Sequence, residues 1–230
     1  MSATAVNVPA SNLRFWQTTV GKKAIMAVTG FMLFGFIVGH LLGNLQIYLP
    51  PEKINHYSAA LKALPALLWT ARITLLIAVG LHIWSSYKLW ILQREARPIK
   101  YIKKANLNST YASRTMLWSG PIILAFLIFH LLHFTFGTVH PGAPFDEHNV
   151  YNNVVTGFQV WPVSLFYIVA MIMLCYHLYH GLWSMFQSLG FSHPVYTPWL
   201  KGLAKVVAIL IAVGNISIPV AVLAGLIKPV

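Results

Sequence analysis

Five runs of mostly apolar residues approach or exceed the ~20 residues needed to cross a hydrocarbon core ~30 Å thick. Backbone that enters lipid must satisfy its own hydrogen bonds, so runs of this length are read as helices. They fall at about 24–48, 65–92, 116–139, 162–189 and 203–227. Only 9% of the 230 residues are charged against 57% hydrophobic, too little charge to coat a soluble domain of this size. The expected architecture is all-α, an integral membrane bundle of five transmembrane helices. It forms a single domain over 21–230 behind an N-terminal cytoplasmic tail, 1–20, with no soluble appendage. The first run is too long for the core of a signal peptide, and no small-residue cleavage site follows it.

The basic residues set the expected orientation. Arg14, Lys22 and Lys23 precede the first run, and the connection after the second holds Arg94, Arg97, Lys100, Lys103, Lys104 and Arg114. The connection after the third run, 140–161, has no Lys or Arg and carries Asp146 and Glu147; Lys201 and Lys205 follow the fourth. On the opposite side, the loop 50–64 carries only Lys53 and Lys62. Lys/Arg bias marks the cytoplasmic side, so the N-terminus is expected inside and the C-terminus outside. The net charge of +12 then reflects topology and calls for no nucleic acid. The dense stretch 94–104 suits an acidic partner protein or anionic lipid headgroups.

Several chemistries drop out. The single cysteine, Cys175, allows no internal disulfide, iron–sulfur cluster or Cys-x-x-Cys-His attachment. There is no phosphate-cradling glycine loop, nucleophile elbow or HExxH. The four acidic residues, Glu52, Glu95, Asp146 and Glu147, are all expected in loops, which argues against an ion-coupled transporter with intramembrane carboxylates.

What the runs do contain is histidine: His40 in the first, His82 in the second, His130 and His133 in the third, His177 and His180 in the fourth. One such residue is ordinarily a hydrogen bond to a neighbouring helix. At least one on each of four helices points to a shared ligand, and neutral imidazole is a good axial donor to haem iron. At ~1.5 Å per residue, His40 lies about 15 Å before Pro50 and His130 about 15 Å before His140, both in the outer half. His82 lies about 25 Å after Pro65 and His177 about 22 Å after Pro162, both nearer the inner side. Two pairs at two depths, each spanning two helices, suit two bis-His haems stacked in a four-helix bundle. Gly35, Gly39 and Gly43, four apart, leave either a groove for a flat ring or a surface for close helix packing. Residues three apart share a helix face, so spacing alone does not separate His130 from His133 or His177 from His180.

The segments GFIVGHLLGNLQ around His40, LHIWSSYKL around His82, FHLLHFT around His130 and YHLYHGLWS around His177 resemble the dihaem cytochrome b membrane anchor of the succinate dehydrogenase / fumarate reductase (succinate:quinone oxidoreductase) family. The resemblance runs through all five helices, the fifth lacking histidine. It implies axial ligands at His40 and His130 for the haem farther from the cytoplasm, and at His82 and His177 for the nearer one. His133, His180, Arg72 and Lys88 are then candidates for propionate or supporting contacts, Arg72 and Lys88 also for snorkelling to the two interfaces.

The resemblance further implies two haem b groups, and electron relay between an iron–sulfur subunit and a membrane quinone, menaquinone or ubiquinone. A flavoprotein subunit would carry the dicarboxylate chemistry, which this chain alone does not perform. The location implied is the bacterial cytoplasmic membrane. Some family members carry a carboxylate near the outer end of the second helix; here that region has Lys62 and Arg72 and no acid after Glu52. The rival readings are another dihaem b-type quinone-linked carrier and a haem-free transporter or scaffold.

Overall fold

The structure, a computed structural model, describes residues 14–96, Ile99 and 109–230. The expected tail up to residue 13 and the basic positions Arg97, Lys100, Lys103 and Lys104 lie outside the described residues. Seven α-helices occur there: α1 (Thr19–Asn44), α2 (Pro51–Lys62), α3 (Pro65–Glu95), α4 (Tyr111–His130), α5 (Val150–Gln159), α6 (Trp161–Ser188) and α7 (Thr197–Leu223). Five spans are long and apolar enough to cross a membrane: Thr19–Tyr48, Pro65–Glu95, Tyr111–Thr135, Trp161–Ser188 and Thr197–Leu223. The five-helix, all-α expectation holds.

Boundaries differ where polar residues extend a helix beyond its apolar run. The first begins at Thr19, capped by Thr18 Oγ1 accepting from Gly21 N. The third and fifth begin at Tyr111 and Thr197 and end several residues before 139 and 227. Proline at the first or second position starts α2, α3, α6 and α7, where its missing N–H costs nothing. Two stretches expected as loops contain the short helices α2 and α5. Glu52 consequently sits in the first turn of α2, favourable against the helix dipole, and Glu95 is the last residue of α3. Asp146 and Glu147 remain in the connection before α5.

The helices do not contribute equally to the core. α6 and α7 share a long buried seam in which Ala170, Leu174, Leu178 and Leu182 meet Ala204, Ala208 and Ile211, with Leu41 of α1 packed on the same cluster. Leu41 methyls lie 3.1 Å from where a Cβ would stand on Gly214, so a side chain there would part α1 from α7. By contrast, α3 buries only Ala78 and Ser85, and α4 only Ala112 and Ser119. α3 packs mainly on α1, and α4 mainly on α6. Their remaining surface is apolar and exposed, as lipid-facing helices require. Trp16, Trp69, Trp161 and Trp199, near helix ends, are also exposed, the usual place for interfacial tryptophan.

At one end of the bundle α5 lies across the mouth. Val155 and Phe158 pack with Ile54, Tyr167, Ile218 and Val222. Polar ties complete this cap: Asn55 Oδ1 accepts from Tyr151 N at 3.0 Å, and Asn152 exchanges two hydrogen bonds with Val230 at 2.7 and 3.0 Å.

Candidate functional site

The six intramembrane histidines resolve into two pairs and two flanking residues. His40 on α1 and His130 on α4 lie with ring centroids 5.7 Å apart. His82 on α3 and His177 on α6 are 6.2 Å apart. Neither α1 with α4 nor α3 with α6 forms a principal helix–helix interface. Each pair therefore meets diagonally, across space that no helix seam fills. Two imidazoles on opposite sides of one metal ion, each bonded at about 2 Å, would have ring centres about 6 Å apart. Both separations accommodate that.

The His82–His177 pair has defined ring orientations. His82 Nδ1 lies 3.2 Å from Met26 O, which can only accept, so the proton is on Nδ1 and the Nε2 lone pair is free. Thr29 Oγ1, 3.2 Å away, donates its own hydrogen to Ile25 O at 2.7 Å and so also accepts from His82. His177 Nδ1 is 3.3 Å from Ser119 Oγ, which can accept from it while the serine hydrogen turns to Met116 O, 3.4 Å away. Anchoring Nδ1–H in this way leaves Nε2 available to a metal. Gly30 is part of the same fit, because an added Cβ would stand 3.3 Å from His82 Cε1.

The His40–His130 pair is framed by aromatic rings. Phe36 stacks on His40 at 5.3 Å, and Phe126 on His130 at 5.6 Å. His130 Nδ1 lies 3.4 Å from the hydroxyl of the buried Tyr167.

The helix changes its winding just after His130: residues Leu131–Thr135 form a π-turn closed by Phe136 N donating to Leu131 O. His130 and His133 still share a side of the helix, where both Nδ1 atoms meet the hydroxyl of Tyr167. His133 is fully buried, with Nδ1 3.0 Å from Tyr167 Oη and Nε2 beside Gly157 of α5. His180 lies edge-on to Trp183 at 5.3 Å; His180 Nδ1 and Trp183 Nε1 are buried without a partner among the described residues. The Trp183 N–H, and His180 Nδ1 when it carries the ring proton, suit the oxygens of a bound group.

Arg72 stacks over Trp69 at 5.1 Å, and Lys88 is exposed. The glycine series divides: Tyr57 closes on Gly43, while Gly35 and Gly39 face open space. Sequence reasoning missed Tyr167, Thr29, Ser119 and Trp183. A hydroxyl inside an apolar run, as at Thr29 and Ser119, is the signal that could have found two of them.

Residues 91–216, more than half of the chain, match the family described as Succinate dehydrogenase/Fumarate reductase transmembrane subunit. The matched stretch contains α4 to α6 and most of α7, with His130 and His177, and stops short of His40 and His82. No curated protein and no solved structure matches the chain.

Proposed function

From the premise that this chain belongs to the succinate dehydrogenase/fumarate reductase transmembrane subunit family, we propose that it is the dihaem cytochrome b anchor of such a complex. His40 with His130 and His82 with His177 would be the axial ligands of two b haems. When bound, the haem irons supply one-electron carriers at two depths, linking an iron–sulfur subunit to a membrane quinone. A flavoprotein subunit of the same complex would perform the dicarboxylate reaction.

The observation that carries the reading is the pairing itself. Four of the six intramembrane histidines form two pairs, each joining helices that do not otherwise pack together. This chain's residues would hold Nε2 toward the metal by anchoring Nδ1 on Met26 O, Thr29 and Ser119. Trp183 Nε1, and His180 Nδ1 in the tautomer that protonates it, would donate to the propionates of the group at His82 and His177. The α5 cap and its aromatic lining would keep water from the group at His40 and His130.

Charge bias supports the orientation with the N-terminus and the 94–114 connection on the cytoplasmic side, where that connection would dock the iron–sulfur subunit. Under this orientation His82 and His177 lie nearer the electron entry. The test is a gentle detergent extraction followed by a pyridine haemochrome assay. Two b haems per chain, with a flavoprotein and an iron–sulfur protein co-purifying, are expected. One haem per chain would sink the two-pair assignment, and a colourless chain would sink the whole reading. A reporter fused at Lys103 should face the cytoplasm; the opposite result would overturn orientation and docking together.

A further inference from the structure

We infer that Tyr167 is the positioning residue of the His40–His130 site, acting through a directed hydrogen-bond chain that runs His130 to Tyr167 to His133. The inference rests on the ligand assignment above and adds a residue and a direction that the assignment does not contain.

A histidine that gives Nε2 to a metal carries its proton on Nδ1 and must donate there. His130 Nδ1 lies 3.4 Å from Tyr167 Oη, so the tyrosine oxygen is the acceptor. The tyrosine then has its own hydrogen to place, and His133 Nδ1 stands 3.0 Å away. Tyr167 donates to it, which makes Nδ1 of His133 the bare nitrogen and puts that ring's proton on Nε2. The reverse arrangement would leave both the tyrosine hydrogen and the His133 Nε2 lone pair without partners. The chosen direction leaves one group unpaired, the buried His133 Nε2–H.

The surroundings hold the chain in place. Tyr167 is buried among Phe126, Phe129, Phe134 and Phe158, with ring centroids 4.9 to 6.0 Å from its own. His133 is stacked on Phe134 at 3.8 Å and closed off by His140 at 4.9 Å. His140 has a carbonyl oxygen 3.0 Å from each ring nitrogen, of Ala143 and of Asn153, and donates to one of them from its single N–H. Gly157 leaves room for His133: an added Cβ would stand 2.6 Å from Nε2. These contacts hold His133 against Tyr167.

An acceptor on the distal nitrogen makes a ligating imidazole a stronger donor, which favours the oxidised metal. Donation onward to His133 polarises the tyrosine and strengthens the effect. Tyr167 thus lowers the potential of the group at His40 and His130 and fixes the plane of the His130 ring.

The test is redox potentiometry with low-spin EPR on the purified complex bearing both haems. Tyr167→Phe keeps the ring and removes the hydroxyl. The expected result is an upward shift of one haem potential, a broadened low-spin signal for that haem and no change in the other. His133→Ala should shift the same potential in the same direction by less. The double variant should shift it no further than Tyr167→Phe alone, as expected of one chain and not of two independent defects. An unshifted potential in Tyr167→Phe, or additive shifts in the double variant, would overturn the inference. Should the Phe variant fail to take up that haem, His133→Ala decides alone, and an unshifted potential there overturns it. A wild-type chain without haem would overturn the functional reading instead, so the two failures are told apart.

Discussion

The His82–His177 pair is held by the backbone and hydroxyls of flanking helices, whereas the His40–His130 pair is held by stacked aromatic rings and one tyrosine. The separations differ by only half an ångström, but the supports differ in kind. Met26 O, Thr29 and Ser119 belong to the helices themselves and move only if a helix moves. Phe126 and Tyr167 are side chains of the cluster that the α5 cap completes, and Phe36 is an exposed ring on α1. Substitutions in the cap should therefore reach one pair and leave the other untouched.

The largest effect expected is on the ligands. His82→Ala or His177→Ala should remove or convert one low-spin haem signal, and His40→Ala or His130→Ala the other, each leaving its counterpart intact. His133→Ala and His180→Ala should keep both. If His180→Ala abolished the signal that His177→Ala spared, the assignment on α6 would be wrong by one turn.

Next comes Gly157→Ala. Its methyl would meet His133, which Phe134 and His140 prevent from backing away. Such overpacking typically costs about 1–3 kcal/mol. Thermal denaturation in detergent should show the loss, and spectra should show disturbance only at His40–His130. Equal disturbance at both pairs would break the comparison.

Ser119→Ala tests the other side. It removes one acceptor from His177, worth about 1 kcal/mol, and should shift only the potential of the haem at His82–His177. The smallest effect is expected from Gly35→Ala and Gly39→Ala, where a Cβ meets nothing. Both haem potentials should stay where they are, and helix propensity should slightly favour the variants. A lost signal at Gly39→Ala would instead place a ring over that glycine.

The spans and the pairing were legible because both rest on composition and rise per residue, which lipid enforces strictly. Apolar length gave the five crossings, and counting from Pro50, Pro65, Pro162 and His140 put at matching depths the histidines whose rings lie close in the structure. The supporting contacts were not legible. The π-turn after His130 is a local rewinding with no compositional mark. Tyr167 lies 34 residues from His133 in sequence and meets it only through the α4–α6 packing. α5 was hidden because its polar residues, Asn152, Asn153, Thr156 and Gln159, read as loop, although its buried side faces the bundle.

The unequal burial of the helices bears on how such a chain is assembled. α1, α6 and α7 share a seam that can form from side chains alone, whereas α3 and α4 each bury one alanine and one serine. Each histidine pair joins a well-seated helix to a loosely seated one, α6 to α3 and α1 to α4. A group bridging both imidazoles would act as a clasp, and its binding free energy would count directly toward folding. Under that assignment α3 and α4, each resting mainly on a single neighbour, would be the helices to part for a flat, bulky molecule entering from the side, through lipid rather than through water. Haem supply would then decide whether five inserted helices become one bundle, and an unloaded chain would be an early target for membrane proteases.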